Sequence, residues 1–259
     1  MNKRFGTALI TGASSGIGAA LARELADSCD RLILVARNEQ RLNELAESIR
    51  QSTGCPVTVH VQDLAKPGAA EALVRSLASY QLSVDLLVNN AGAGRSGRVT
   101  DLTAEEQDNL IALNITALTT LSRLLAADMV ARGSGLILNV ASTGAYQPGP
   151  FTAVYYAAKA YVHSFSLALD RELKGTGVSV SLLCPGATAT EFSRRAGKAD
   201  IQQAMSPEAV ARTTKKGLLA GRKLIIPGWN NRLVIVLSKM LPGSWLAEIV
   251  ARIQAPLIH

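Results

Sequence analysis

The chain has 259 residues, 48% of them hydrophobic and 18% charged, which supports a buried core and excludes an intrinsically disordered chain. Its formal charge of +7 and pI near 9.5 suggest anionic partners, but the basic residues are scattered and aromatic residues make up only 4%. That argues against a nucleic-acid platform and for a phosphorylated small molecule or an anionic surface.

Short apolar runs alternate with helical patterns along the whole chain. The predicted strands are Thr7–Ile10, Leu32–Ala36, Val57–Gln62, Leu86–Asn89, Leu136–Val140, Val178–Cys184 and Lys223–Ile226. The predicted helices are Gly18–Ser28, Asn38–Gln51, Ala69–Ser79, Thr103–Arg132, Thr152–Lys174 and Pro207–Ala220. Strands that are hydrophobic throughout suit a parallel sheet covered on both faces. Strand–helix alternation over this length predicts an α/β, Rossmann-like doubly wound fold, with a seven-stranded parallel sheet and helices on both faces. No linker or repeat interrupts it, so residues 1–259 are read as one domain.

Cys29, Cys55 and Cys184 form no CxxC pair, as expected of buried thiols in a reducing compartment. The N-terminus runs directly into the first strand without a signal-peptide core, and no run of about 18 apolar residues occurs. The sequence thus predicts a cytoplasmic protein without a transmembrane span. His60, His163 and His259 have no metal-ligand spacing, and no metal is expected.

Two features carry chemistry. The first strand leads into Thr11-Gly12-Ala-Ser14-Ser15-Gly16-Ile17-Gly18, then a helix. Glycines there permit a tight turn and close approach to a pyrophosphate at a positive helix N-terminus. The second feature is Tyr155 and Lys159, four residues apart on a predicted helix. One turn separates them, so phenol and ammonium share a face, and a neighbouring cation lowers a tyrosine pKa from about 10 toward the working range. Asn114 lies inside a predicted helix, where asparagine is locally unfavourable.

With these in hand, the chain resembles the short-chain dehydrogenase/reductase family. The matching segments, in order, are Thr11–Gly18, Asp63-Leu64, Asn89-Asn90-Ala91-Gly92, Asn114, Ser142, Tyr155-x-x-x-Lys159 and Pro185-Gly186. The resemblance implies that Tyr155 exchanges a proton with a substrate oxygen while hydride moves to or from a nicotinamide. Lys159 would hold the nicotinamide ribose and depress the tyrosine pKa. Ser142 would orient the substrate oxygen, and Asn114 would open its helix to hold a relay water. Adjacent Tyr156 is set aside by register.

The resemblance also implies a dinucleotide site. Asp63 would accept from the adenine amino group, and Asn89 and Asn90 would brace the adenosine side of the cleft. Pro185, Gly186 and a threonine would contact the carboxamide and pyrophosphate, Thr190 more surely than Thr188. The second strand ends without a carboxylate, and Arg37 is placed to pair with a 2′-phosphate, with Ser14 as a further donor. NADP(H) is therefore expected, with NAD(H) left open because Ser14-Ser15 stands where some NADP-preferring relatives carry a basic residue.

The expected activity is interconversion of a carbonyl and a secondary alcohol, with a ketoacyl, steroid-like or other lipophilic ketone as substrate class. A catalytically silent dinucleotide-binding scaffold is the alternative; a nucleotide-sugar epimerase would need a longer chain. Residues 188–205 are the expected substrate loop, whose Arg194, Arg195 and Lys198 either meet an anionic substrate or face water. Residues 228–259 form an apolar extension with two readings. It walls the cleft or packs on a partner subunit, or it makes a weak contact with a membrane surface. Relatives are usually homodimers or homotetramers, and the same is expected here.

Overall fold

The computed structural model describes residues 5–192, Ala196 and 204–255. Seven strands form one sheet: β1 (Thr7–Thr11), β2 (Arg31–Ala36), β3 (Val57–Val61), β4 (Leu86–Asn89), β5 (Gly135–Val140), β6 (Val178–Leu183) and β7 (Leu224–Ile225). Their order is β3-β2-β1-β4-β5-β6-β7, and every pairing is parallel. The connections run outward in both directions from the β1/β4 junction. In such a sheet the crevice beyond the carboxyl ends of the strands at the reversal point is where a ligand binds.

The helices are α1 (Gly16–Leu25), α2 (Glu39–Thr53), α3 (Ala69–Ser79), α4 (Ala104–Ile111), α5 (Leu118–Arg132), α6 (Ala153–Glu172), α7 (Pro207–Leu219), α8 (Trp229–Met240) and α9 (Gly243–Gln254). Local chemistry sets several boundaries. Asn38 caps α2 by accepting from the Arg41 amide, and Thr103 and Glu106 form a reciprocal capping box on α4. Pro242 stands between α8 and α9, where the chain cannot continue one helix. One sheet face is covered through Leu21, Leu25, Leu42, Ile49, Val210 and Leu218 of α1, α2 and α7. The other is covered through Leu73, Leu77, Leu121, Leu125 and Met129 of α3 and α5.

The long segment Ala104–Arg132 has the length and composition of a membrane-crossing helix. Its buried residues instead pack on the sheet, as in a core helix. It is also not one α-helix. Residues Ala112–Ala117 form a π-helical turn between α4 and α5, with Asn114 at its middle. Such turns arise where a residue competes for the helical hydrogen bonds, and they occur often at functional sites.

A buried polar ladder ties the sheet to its helices. Asn89 Nδ2 donates to Ser122 Oγ and to Asn139 Oδ1, both at 2.9 Å, and Asn139 Nδ2 donates to Ser166 Oγ at 2.9 Å. The Asn89 amide nitrogen is thus spent between β4, β5 and α5. Asn139→Ala leaves an Asn89 donor without its acceptor in the interior and is expected to cost about 2–3 kcal/mol. Urea denaturation measures this; an unchanged midpoint contradicts the ladder's structural role.

Candidate active site

The carboxyl ends of β1 and β4 are laced together at the centre of the cleft. Thr11 Oγ1 donates to the Val88 carbonyl at 3.1 Å and accepts from the amides of Asn90 and Ala91, each at 3.0 Å. Asn90 Nδ2 returns a bond to the Thr11 carbonyl at 2.9 Å, so Asn90 braces the end of β1 where the glycine turn begins. Thr11 itself was not anticipated as an organiser, although its place at the end of β1 was visible.

The turn then passes Gly12, Ser14 and Ser15 into α1. A Cβ on Gly18 would run into the Gly12 carbonyl oxygen, so the helix can approach the strand this closely only without a side chain. Ser15 precedes α1 in an extended conformation and makes no side-chain cap. The first turn, with Gly16 and Ile17, thus begins at the cleft with its amides uncapped by a side chain, the arrangement suited to an anion.

At the adenosine end, Arg37 follows β2 and Asp63 follows β3. Arg37 Nη1 lies 4.0 Å from Asp63 Oδ2, with the arginine side chain 70% exposed. Asp63 Oδ1 accepts from the Ala65 amide at 3.1 Å, while Leu64 is buried beneath. A contact that sequence reading missed crosses the cleft beside them: Arg41 Nη1 of α2 pairs with Glu191 Oε2 at 2.8 Å.

Beyond β6, the Pro185 carbonyl accepts from the Thr143 amide at 2.9 Å, and Gly186 packs against Asn231 of α8. Thr188 Oγ1 donates to the Gly186 carbonyl at 3.1 Å. Thr190 packs beside Gly16, where a Cβ would lie 3.0 Å from its methyl, so Thr190 is the threonine that closes on the glycine turn. Arg194, Arg195 and Lys198 lie outside the described residues.

The other end of the cleft holds the four polar side chains. Lys159, on α6 and only 5% exposed, donates from Nζ to the Val140 carbonyl at the end of β5, at 2.9 Å. Its ammonium lies 5.6 Å from the centre of the Tyr155 ring. Ser142, two residues past β5, accepts the Gly144 amide at 3.0 Å, and its hydroxyl interacts with the Tyr155 phenol. Asn114 Nδ2 donates to the carbonyls of Ala93 and Leu110, both at 2.9 Å. A Cβ placed on Gly92 would sit 2.8 Å from Asn114 Oδ1 and 3.4 Å from Lys159 Nζ. Glycine at 92 is thus what lets amide and ammonium share one space. Asn114 Oδ1 is buried and has no hydrogen-bond partner among the described residues.

Electrostatics depart from the sequence expectation. Burial pushes the Tyr155 phenol well above its ordinary range, drawn back in part by Ser142, and Lys159 is not among the groups that move it. Burial also lowers the Lys159 ammonium to about 8. Desolvation of both groups therefore outweighs their mutual attraction at this separation.

Tyr156 is occupied elsewhere. Its hydroxyl accepts from Gln254 Nε2 of α9 at 2.9 Å, while Gln254 Oε1 accepts from Thr152 Oγ1 at 3.0 Å. Gly149 packs against its ring. Phe151, just before α6, has a φ of +64°, strained for a bulky residue, and its carbonyl accepts from the Gly97 amide at 2.8 Å. Phe192 approaches the Tyr155 ring with centroids 5.3 Å apart. Phe192 lies in the expected substrate loop and Gln254 in the C-terminal extension, but neither belongs to a motif that singles it out by residue.

Residues 6–200 match the family model described as short chain dehydrogenase. The chain belongs to the short-chain dehydrogenase family. It is 36% identical over 213 residues to the granaticin polyketide synthase putative ketoacyl reductase 1 of Streptomyces violaceoruber, covering 81% of this chain and 78% of the relative. The structure is similar to that of a short-chain dehydrogenase from Sphingobium yanoikuyae in complex with NADPH. The TM-score is 0.83 at 34% identity, with 91% of this chain and 93% of that one covered. It is also similar to the bulky-bulky ketone specific alcohol dehydrogenase from Comamonas testosteroni, with a TM-score of 0.78 at 32% identity over 93% and 94% of the two chains. This short-chain dehydrogenase is accordingly an oxidoreductase acting on CH–OH or C=O groups.

Because Lys159 titrates lower in the folded protein than in the unfolded chain, its burial penalises folding below about pH 8, and the penalty fades as pH rises toward about 10.5. Lys159→Met should therefore be the more stable protein at pH 7, by on the order of 2 kcal/mol. The advantage should shrink steadily above pH 8. Thermal unfolding of both proteins across this range decides it; an advantage independent of pH contradicts the buried charge.

Proposed function

We propose that this enzyme is an NADP(H)-dependent oxidoreductase that interconverts a lipophilic ketone and its secondary alcohol. The observation that carries the reading is the convergence of Tyr155, Ser142, Lys159 and Asn114 at the end of a cleft that opens on a glycine turn. The residues fit a dinucleotide. The Gly12–Gly18 approach makes room for a pyrophosphate at the α1 N-terminus, with Ser14, Ser15, Gly16 and Ile17 around it. Arg37 would meet a 2′-phosphate and Asp63 an adenine amino group. Asn90, Ala91 and Gly92 would line the middle, and Pro185, Gly186, Thr188 and Thr190 the nicotinamide end. Asn89 supports this set from beneath.

When bound, the dinucleotide supplies or accepts the hydride. The protein's own groups manage the proton. Burial keeps Tyr155 a phenol through the neutral range, the form needed to donate to a carbonyl oxygen as the carbonyl carbon becomes a carbinol. Ser142 hydrogen-bonds that oxygen and aims it at the phenol. The Lys159 ammonium, close to its titration point near neutrality, holds ribose hydroxyls and returns the proton to Tyr155. Asn114 Oδ1 holds a water on that return path. A silent scaffold would have no use for this assembly.

The substrate class rests on Phe192 beside Tyr155 and on the ketoacyl and bulky-ketone relatives. Assembly as a homodimer or homotetramer through α5 and α6 is carried over from the resemblance. The stacked Tyr161–Phe165 pair on α6, with centroids 5.7 Å apart, offers a flat apolar surface for it.

Tyr155→Phe should lower kcat by about 10²–10⁴ on a panel of ketones while leaving NADPH affinity intact; undiminished turnover contradicts the assignment. Arg37→Leu should reduce the NADPH-over-NADH preference in kcat/KM by about 10–100-fold. An unchanged ratio would show that Arg37 merely faces water.

A further inference from the structure

Helices α8 and α9 each carry two apolar stripes where a surface helix normally carries one. Inward, Ile235 and Ser238 of α8 and Leu246, Val250 and Gln254 of α9 are buried. Outward, Trp229, Leu233, Val236, Leu237 and Met240 recur at helical spacing on α8, and Trp245, Ile249 and Ile253 on α9. Trp229 and Met240 are each 75% exposed, Trp245 66% and Ile253 62%. Soluble surfaces carry such residues singly, not as continuous stripes on adjacent helices.

The inward faces are pinned to one segment of the active-site wall. Ser238 Oγ donates to Gln147 Oε1 at 3.3 Å, Lys239 Nζ lies 5.2 Å from the centre of the Tyr146 ring, and Gln254 bridges Thr152 and Tyr156. Both helices are therefore anchored against residues 146–156, and each outward stripe is the face that this anchoring leaves uncovered.

Charge selects the occupant. Residues 229–254, which make up the two helices, contain three basic residues, Arg232, Lys239 and Arg252, and one carboxylate, Glu248, a net charge of +2. A second copy docked face to face would bring like charges together, whereas an anionic bilayer neutralises them. Exposed tryptophans at the start of each helix suit the headgroup level, where an apolar ring with one polar N–H is most stable. We propose that α8 and α9 form a peripheral docking face for an anionic phospholipid surface. The helices lie in the interface with their outward stripes in the acyl boundary and their basic residues among the headgroups.

The two tryptophans of the chain, Trp229 and Trp245, both lie on this face, so intrinsic fluorescence reads it directly. Phosphatidylglycerol-containing vesicles should shift the full-length protein's emission to the blue and carry it down on centrifugation. Pure phosphatidylcholine vesicles should do so far less, and high salt should reverse it. Arg232→Gln should weaken binding about fivefold. Trp229→Ser with Trp245→Ser should abolish co-sedimentation while keeping the wild-type unfolding temperature. The proposal is overturned if emission and sedimentation ignore anionic vesicles. It is equally overturned if emission shifts with protein concentration alone, alongside a dimer by sedimentation velocity, because a second copy would then cover the face.

Discussion

The site depends on one unfavourable act, the burial of the Lys159 ammonium. Its direct protein acceptor is the Val140 carbonyl, at the last residue of β5. That placement requires β5 to end there, α6 to cross it, and Gly92 to leave the space beside Nζ empty of side chain. A buried charge with limited compensation lowers its own pKa, so the lysine reaches about 8 and becomes able to give up a proton near neutrality. In the mechanism we propose, stability is sacrificed for chemistry at this point, as enzymes commonly do.

The surrounding fold holds that arrangement rigidly. The Asn89–Asn139–Ser166 ladder fixes β4, β5 and α6 relative to one another. Thr11 and Asn90 do the same for β1 and β4. Asn114, in its π-helical turn, spends both amide protons on backbone carbonyls and leaves Oδ1 toward the lysine. The asparagine that looked out of place in a helix is thus the residue around which the helix changes its pitch.

Much of this was legible beforehand because its signals are local. Seven continuous apolar runs, the first six each followed by a helical pattern, leave little choice but a covered parallel sheet. Tyr155 was separable from Tyr156 by register, and the structure gives the physical counterpart: one phenol meets Ser142, the other is held by Gln254. Less legible was anything set by long-range packing. Asn89 sits inside a motif yet faces the interior. The expected lowering of the Tyr155 pKa followed from charge proximity alone, whereas depth of burial decides the sign. Phe192, Gln254 and the outward stripes of α8 and α9 acquire meaning only once the C-terminal segment is seen against the cleft.

The titration of Lys159 bears most directly on this view of the site. Protein labelled with ¹³C at lysine Cε, with Lys159→Met used to assign the resonance, should show that lysine titrating at about 8, apart from the surface lysines. A midpoint at the ordinary lysine value of about 10.4 would mean that the ammonium is solvated, and the site would have to be rebuilt on another proton carrier.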